Sequence, residues 1–289
     1  MAERFVFSGE EKTITGIDEN GYGPVIGPLI ITGIQVKAPF DSIYSLSRDI
    51  LQFHATIDDS KKIFKRSKKS YVTGESLALT ILKHAGLIPD TFYSLIKMLS
   101  DTIPHDLPDF RLPVWTNDRL NIMCSSIELP IIKEIRVKIL SAHDFNSYVT
   151  RFKNKAFIDF LGFKAIRDTL ISDVYMMGKI GGTKFYREFF KLTGEYPEPV
   201  VEEHDISYYR SDNTELFFLL NGDELFLPIM LAGILGKYIR ELFMKSICEK
   251  FGLFDEIPFA SGYRHDRKTF ILLKEIEKNN AYERFVRIR

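Results

Sequence analysis

The apolar positions of the 289-residue chain fall into short β-period runs alternating with longer helical stretches. Ile14 and Ile17 bound a short β-favouring run, so a strand is expected over 12–17. The turn-forming run Asp18-Glu19-Asn20-Gly21-Tyr22-Gly23-Pro24 follows it. Leu29, Ile30, Ile31, Ile34 and Val36 form a nearly continuous apolar run over 28–36, the pattern of a central strand buried on both faces. A helix is expected over 42–53, with Asp41 as its cap, and another over 72–85 after a basic stretch at 65–69. Between 86 and 130 prolines interrupt the pattern (Pro89, Pro104, Pro108, Pro113, Pro130), leaving one amphipathic piece at 92–99, an elaboration on the core. Ile135, Val137 and Ile139 alternate in an expected strand at 134–141. A helical stretch interrupted near Gly162 is expected over 144–171, then a short buried strand over 174–177, the Gly181-Gly182 break and a helix over 184–192. Strands at 199–203 and 216–220 flank what reads as a polar loop. The clearest helix is 228–249, with Pro228 in its first turn and a small-residue patch, Ala232, Gly233 and Gly236, that lets a neighbouring element approach. A final helix is expected over 268–278. Alternating strands and helices predict an α/β domain with a mixed sheet.

Composition changes this picture little. Hydrophobic residues make up 45% and charged ones 27%, ordinary for a soluble globular protein. Lys and Arg total 39, as do Asp and Glu, and a neutral total neither supports nor excludes a nucleic-acid partner, since a local basic groove suffices. Cys124 and Cys248 stand far apart in no metal-binding spacing and read as buried free thiols of a reducing compartment. The sequence shows neither a signal-like start nor an apolar run long enough to cross a bilayer, so no membrane association and a cytoplasmic location are expected.

Local chemistry singles out a few groups. Asp18 and Glu19 end a strand ahead of a glycine turn, where two carboxylates can be directed at one hard cation such as Mg²⁺. On local grounds alone such a pair is more often a solvated turn. Asp58-Asp59-Ser60-Lys61-Lys62 offers lysines and a hydroxyl to a phosphate, or is simply a capped surface loop. Asp223, just ahead of the 228–249 helix, suits a metal or the helix N-terminus. Tyr263, within Ser261-Gly262-Tyr263-Arg264-His265-Asp266, can stack on a sugar or base, or is an ordinary surface tyrosine.

Their order along the chain is more specific than any one of them. Gly16-Ile17-Asp18-Glu19-Asn20-Gly21-Tyr22-Gly23 resembles the opening motif of ribonuclease HII, Gly-Ile-Asp-Glu-Ala-Gly-Arg/Lys-Gly. Asp59-Ser60-Lys61-Lys62 resembles that family's Asp-Ser-Lys-Lys, and Val200-Val201-Glu202-Glu203-His204 resembles the strand before its last catalytic carboxylate. Gly222-Asp223-Glu224 through Pro228, Ala232, Lys237 and Arg240 resembles its Asp-then-helix block, and Ser261-Gly262-Tyr263 with Asp266 and Thr269 its Ser-Gly-Tyr loop. The resemblance implies one domain over 1–289 with an RNase H-like mixed β-sheet carrying helices on its faces. A helical insertion at 66–130 and the loop 205–215 have no counterpart in the family. It further implies Mg²⁺ or Mn²⁺ held by Asp18, Glu19 and Asp223, and two-metal hydrolysis of RNA in an RNA–DNA hybrid, or of a ribonucleotide embedded in DNA. Gly21, Tyr22 and Gly23 would lie against the 2′-hydroxyl, Tyr263 would stack on the sugar, and Ser60, Lys61 and Lys62 would contact the phosphates.

The match departs from the family at its third carboxylate. Aligning Gly178 with the family's glycine puts Met177 where an Asp belongs, and a thioether does not replace a carboxylate on Mg²⁺. Asp173 and Glu203, the latter on an expected adjacent strand, are candidate substitutes. Tyr22 replaces a basic residue and Gly233 a serine, changes that also point to an altered site. Two readings therefore stand: a metal-dependent endoribonuclease with an impaired site, and a nucleic-acid-binding protein that keeps the nuclease fold without cutting. A protein-interaction scaffold built on the insertion ranks behind both.

Overall fold

The structure is a computed structural model that describes residues 7–47, 58–104, 107–116, 129–256 and 258–288. Its strands are β1 (Glu11–Asn20), β2 (Leu29–Pro39), β3 (Ile131–Leu140), β4 (Val174–Gly178), β5 (Glu198–Glu202), β6 (Ile206–Ser211) and β7 (Thr214–Leu219). They form one seven-stranded mixed sheet in the order β3-β2-β1-β4-β7-β6-β5. β4 runs parallel to both β1 and β7, and every other pairing is antiparallel. The helices are α1 (Ser60–Ile63), α2 (Lys68–His84), α3 (Phe92–Leu99), α4 (Ala142–Phe152), α5 (Lys155–Thr169), α6 (Arg187–Leu192), α7 (Gly222–Leu225), α8 (Leu227–Lys250), α9 (Arg267–Lys278) and α10 (Tyr282–Phe285). The architecture is the mixed α/β sheet with helices on its faces that the resemblance implies.

Two apolar layers sandwich the sheet. On one side α8 lies on β1 and β2, and Ile14, Ile34 and Met176 share a core with Leu231, Leu235, Tyr238 and the inward faces of α2 and α3. Glycines make the approach close: a Cβ at Gly16 would fall on the Pro228 backbone, and one at Gly236 on Asn20 Oδ1. On the other side α5 and α6 cover Ile17, Ile31, Met177 and Phe218 with an aromatic layer that includes Phe160, Tyr186 and Phe190. A third, smaller core joins the C-terminal half of α8 to α9 and the chain's end through Val25, Ile26, Met244, Leu272 and Val286.

Several expectations change. β1 continues through Asp18 and Glu19 to Asn20, so the two carboxylates are strand residues, not turn residues. The helix expected over 42–53 is a turn across its described part, closed by a bridge between Ser47 and Phe226; 48–53 lie outside the described residues. The break expected near Gly162 falls instead at Lys153, left-handed at φ 51°, and Asn154, which caps α5. α5 passes through Gly162 unbroken because the missing side chain lets the helix settle on Ile31. The polar loop at 205–215 contains β6, hairpinned to β7. Cys248 is a buried free thiol, and Cys124 lies outside the described residues.

Candidate active site

Alternation along β1 sends Asp18 toward α8 and Glu19 toward the α5 face. Gly233 gives Asp18 its room: a Cβ there would stand 2.7 Å from Asp18 Oδ2 and 3.8 Å from Asp223 Cβ. The Asp18 carboxylate and Asp223 thus converge on one bare position of α8. Asp223 arrives on α7, a single turn that α8 continues, and Asn221, left-handed at φ 53°, starts that turn.

A cation faces this cluster. Asp59 caps α1 by accepting from the Lys61 amide at 2.9 Å, which lays the helix beside α7. Lys61 Nζ then stands 3.6 Å from Asp223 Oδ2, and Lys62 Nζ 3.8 Å from Glu224. Burial alone would lower the Lys61 ammonium, but Asp223, Asp59, Asp18 and Glu19 together hold it above its ordinary value. Ser60 is buried within α1.

The carboxylates themselves are pushed up. For Asp18 burial acts first, then the charges of Glu19 and Asp223; for Glu19 burial acts first, then the charge of Asp159. Asp159, on α5, is fully buried, and neither of its carboxylate oxygens has a hydrogen-bond partner. Burial and the Asp18 charge raise it as well. Among the described residues no three His, Cys, Asp or Glu side chains are arranged as a metal-holding group.

The two loops expected to meet substrate are stitched together beside the cluster. Val25 and Ile26 donate their amides to Gly262 O at 2.8 and 3.2 Å. Tyr263, 38% exposed, lays its ring edge 3.0 Å from where a Cβ of Gly23 would be. Asp266 fixes that loop by accepting from Ser261 N at 2.8 Å, Ser261 Oγ at 2.7 Å and Thr269 Oγ1 at 3.0 Å. From beneath, Arg240 donates to Ile26 O at 3.0 Å and Ser261 O at 3.2 Å, and Arg287 donates to Gly21 O and Pro24 O. Burial, and secondarily the neighbouring Arg240, lower Arg287 to about 9. Tyr22 reaches across to the loop after β4, its hydroxyl 3.3 Å from a Cβ position on Gly181.

Three sequence expectations about the missing carboxylate need correction. Met177 pairs with Ile17 and faces the α5 side, fully buried in the aromatic layer. The β4 position that faces Asp18 is Gly178, whose Cβ would stand 3.2 Å from Asp18 Oδ1 and 3.9 Å from Glu19 Oε2. One residue of strand register exchanges faces, so it is Gly178 and not Met177 that lies on the Asp18 side, and neither brings a carboxylate. Asp173 sits at the opposite end of β4, accepting from Thr13 N at 2.8 Å and Thr13 Oγ1 at 2.7 Å. Glu203 is exposed just past β5, an edge strand separated from β4 by β7 and β6. Sequence reasoning missed Asp159 and Arg287, and took Gly178 only as the glycine that marks the register of β4. Only Asp159 carried a signal, as a lone acid amid the apolar run Phe157-Ile158-Asp159-Phe160.

No family model matches the chain. It is 24% identical over 276 residues to a ribonuclease HII of Methanosarcina barkeri, covering 95% of this chain and 90% of that one. It is 21% identical to a ribonuclease HII of Sulfurisphaera tokodaii, over 92% of this chain and 86% of the other. Among solved structures, the PCNA:RNase HII complex from Archaeoglobus fulgidus aligns over 96% of this chain and 94% of that one, at 19% identity and a TM-score of 0.48. Along nearly its whole length the chain is therefore similar, at low identity, to ribonuclease HII proteins.

Proposed function

We propose that the protein is a divalent-metal endoribonuclease acting on RNA paired with DNA, or on ribonucleotides embedded in DNA. The observation that carries this reading is the convergence of Asp18 and Asp223 on Gly233, with Lys61 facing them and the Gly23–Tyr263 contact alongside. Whether an ion fits can be judged from the donors. Asp18, Glu19 and Asp223 offer hard oxygen ligands of the kind Mg²⁺ and Mn²⁺ take, and their charges already hold the Lys61 ammonium up. Asp18, Glu19 and Asp223 are the residues that would hold the ion, and since no three ligands among the described residues are already arranged for one they would have to draw together around it. When bound, it supplies Lewis acidity, activating water and stabilising the leaving 3′ oxygen.

The remaining work falls to the chain's own residues. The Gly21–Gly23 backbone, held by Arg287 from below, presents peptide groups to a 2′-hydroxyl, the group that distinguishes RNA from DNA. Tyr263 offers a ring face to the adjoining sugar, and its contact with Gly23 fixes the spacing between the two recognition elements. Lys61 and Lys62 flank the carboxylates, where the phosphates of the scissile strand would pass. A cytoplasmic location accords with this reading. Among the described residues no helix is long and apolar enough to cross a membrane. The stretch 66–130 is proposed as an insertion that buttresses the same core, since α2 and α3 bury Tyr71, Leu82, Phe92 and Leu95 against it.

The test is cleavage of a duplex carrying one ribonucleotide, with and without Mn²⁺. Metal-dependent cutting at the ribonucleotide is expected. The bare Gly178 favours a second reading, a hybrid-binding protein that does not cut; binding without cleavage at any Mn²⁺ concentration would select it.

A further inference from the structure

The loop that carries Tyr263 starts from a strained base. Phe259 is left-handed at φ 67°, a backbone conformation that a bulky residue adopts only where its surroundings hold it there. Those surroundings include the first turn of α2. The Phe259 ring lies 4.2 Å, centroid to centroid, from the ring of Tyr71, which is buried and also packs on Phe64 and Trp115. Just ahead of α2, Arg66 is a second left-handed residue, at φ 44°, and its Nη1 stands 3.7 Å from Asp266 Oδ1. Asp266 is the carboxylate that ties Ser261 to Thr269.

A third link runs through polar groups. The Tyr71 hydroxyl donates to Glu241 Oε2 at 2.5 Å. Glu241 is buried on α8, accepts from Lys237, and its Oε1 stands 3.8 Å from Arg240 Nη1. Burial would raise the Glu241 carboxyl, but the Lys237 and Arg240 charges hold it below its ordinary value. Arg240 in turn donates to both recognition loops, at Ile26 O and Ser261 O. Arg287 is a second buried guanidinium beneath the same loops. Buried cations side by side need a buried anion near them, and Glu241 is a carboxylate within ion-pair reach of Arg240. Packing against Phe259 needs only the Tyr71 ring; the hydroxyl serves Glu241.

Resting on the RNA-recognition reading above, we propose that Tyr71 is a positioning residue for substrate. Through Phe259, and through Glu241 and Arg240, it fixes the Tyr263 loop against the Gly21–Gly23 backbone. The start of the 66–130 stretch thereby sets how well the protein tells an RNA–DNA hybrid from a DNA duplex, besides buttressing the core.

The experiment compares affinity for an RNA–DNA hybrid with affinity for an all-DNA duplex of the same sequence, in the full-length wild type, Tyr71→Phe and Tyr71→Leu, alongside amide hydrogen exchange. Tyr71→Leu is expected to lower hybrid affinity about tenfold, because a loosened loop must be ordered on binding, and to leave DNA-duplex affinity within about twofold. Tyr71→Phe keeps the ring on Phe259, gives up only the Glu241 link and should lose about threefold; it carries the test if Tyr71→Leu fails to fold. Exchange at the Val25, Ile26 and Gly262 amides should quicken in both variants while the β2 amides keep their wild-type rates. Equal losses on hybrid and DNA, or exchange that quickens across β2 as well, would make Tyr71 an ordinary core residue and overturn the proposal. Unchanged hybrid affinity in both variants would overturn it too, while leaving the recognition reading standing. A wild-type protein that binds hybrid no better than DNA would remove the recognition reading itself, and the proposal with it.

Discussion

Gly23 has no side chain, and Tyr263 lies where one would go. That contact joins two loops far apart in sequence, and Tyr263 remains exposed enough to stack on a ligand. Tyr263→Ala should weaken binding to an RNA–DNA hybrid by about 1–3 kcal/mol, while Tyr263→Phe should keep most of the affinity, because stacking needs the ring and not the hydroxyl. Equal hybrid affinity in a fluorescence titration of Tyr263→Ala would take the ring out of the interface. The loop that holds Tyr263 depends in turn on Asp266. Burial would raise that carboxyl, but the donors Ser261 N, Ser261 Oγ, Thr269 Oγ1 and Lys268 N hold it below its usual value. A depressed carboxyl stabilises the fold above its unfolded pKa of about 3.9 and loses that contribution as pH falls through the folded value. The stability advantage of wild type over Asp266→Asn should therefore be full at pH 7 and shrink from about pH 4 downward, read by urea unfolding across pH. A gap that stays constant with pH would show that Asp266 acts by shape alone. Asp18, Glu19, Asp223 and Tyr263 stand out as candidates in the sequence because they follow a motif order. Gly178 does not, since a single step of strand register decides whether it or Met177 faces Asp18, and that step is set by pairing with Ile17.

α8 and β1 form the element pair that positions the site, and glycines on both sides set their separation. The sequence exposed one side of this arrangement: Ala232, Gly233 and Gly236 marked α8 as a helix built for close approach. The other side, Gly16, looked like part of a motif and proves to be a packing position against Pro228. Gly16→Ala would press a methyl on backbone atoms that cannot rotate away, so it should cost about 3 kcal/mol or more in unfolding free energy. It should also weaken Mn²⁺ binding, because Asp18 lies two residues along the same strand. A stable Gly16→Ala protein with unchanged denaturation midpoint would mean that α8 can shift without cost. Elements with a clear period, β2 and α8 above all, were legible. β6 was not, because its run Ile206-Ser207-Tyr208-Tyr209-Arg210 lies within a polar stretch. Its tyrosines are buried only because Glu215 and Glu202 accept from their hydroxyls, a compensation that appears once β5, β6 and β7 are side by side. The break near Gly162 was misjudged for a related reason. A glycine within a helical pattern reads as an interruption, whereas here the partner strand needs the space.

Taken whole, the molecule has no net charge, so any pull on a nucleic acid must come from local arrangement. α1 provides one such arrangement by carrying Lys61 and Lys62 over α7, and Lys62 is half exposed while lying near Asp58 at 3.3 Å and Glu224 at 3.8 Å. Exposed pairs of this kind contribute little to stability, so Lys62 can exchange its carboxylate neighbours for a phosphate without unfolding anything. Each phosphate neutralised on a duplex adds about 0.9 to the slope of log affinity against log salt. Lys62→Ala should therefore lower hybrid affinity at low salt, flatten that slope by about 0.9, and leave the unfolding midpoint nearly unchanged. Tyr263→Ala, by contrast, should shift the whole line downward with its slope intact, since stacking releases no counterion. Parallel lines for wild type and Lys62→Ala between low and moderate salt would show that α1 does not touch the backbone, and the phosphate-binding role would then have to move to another lysine surface.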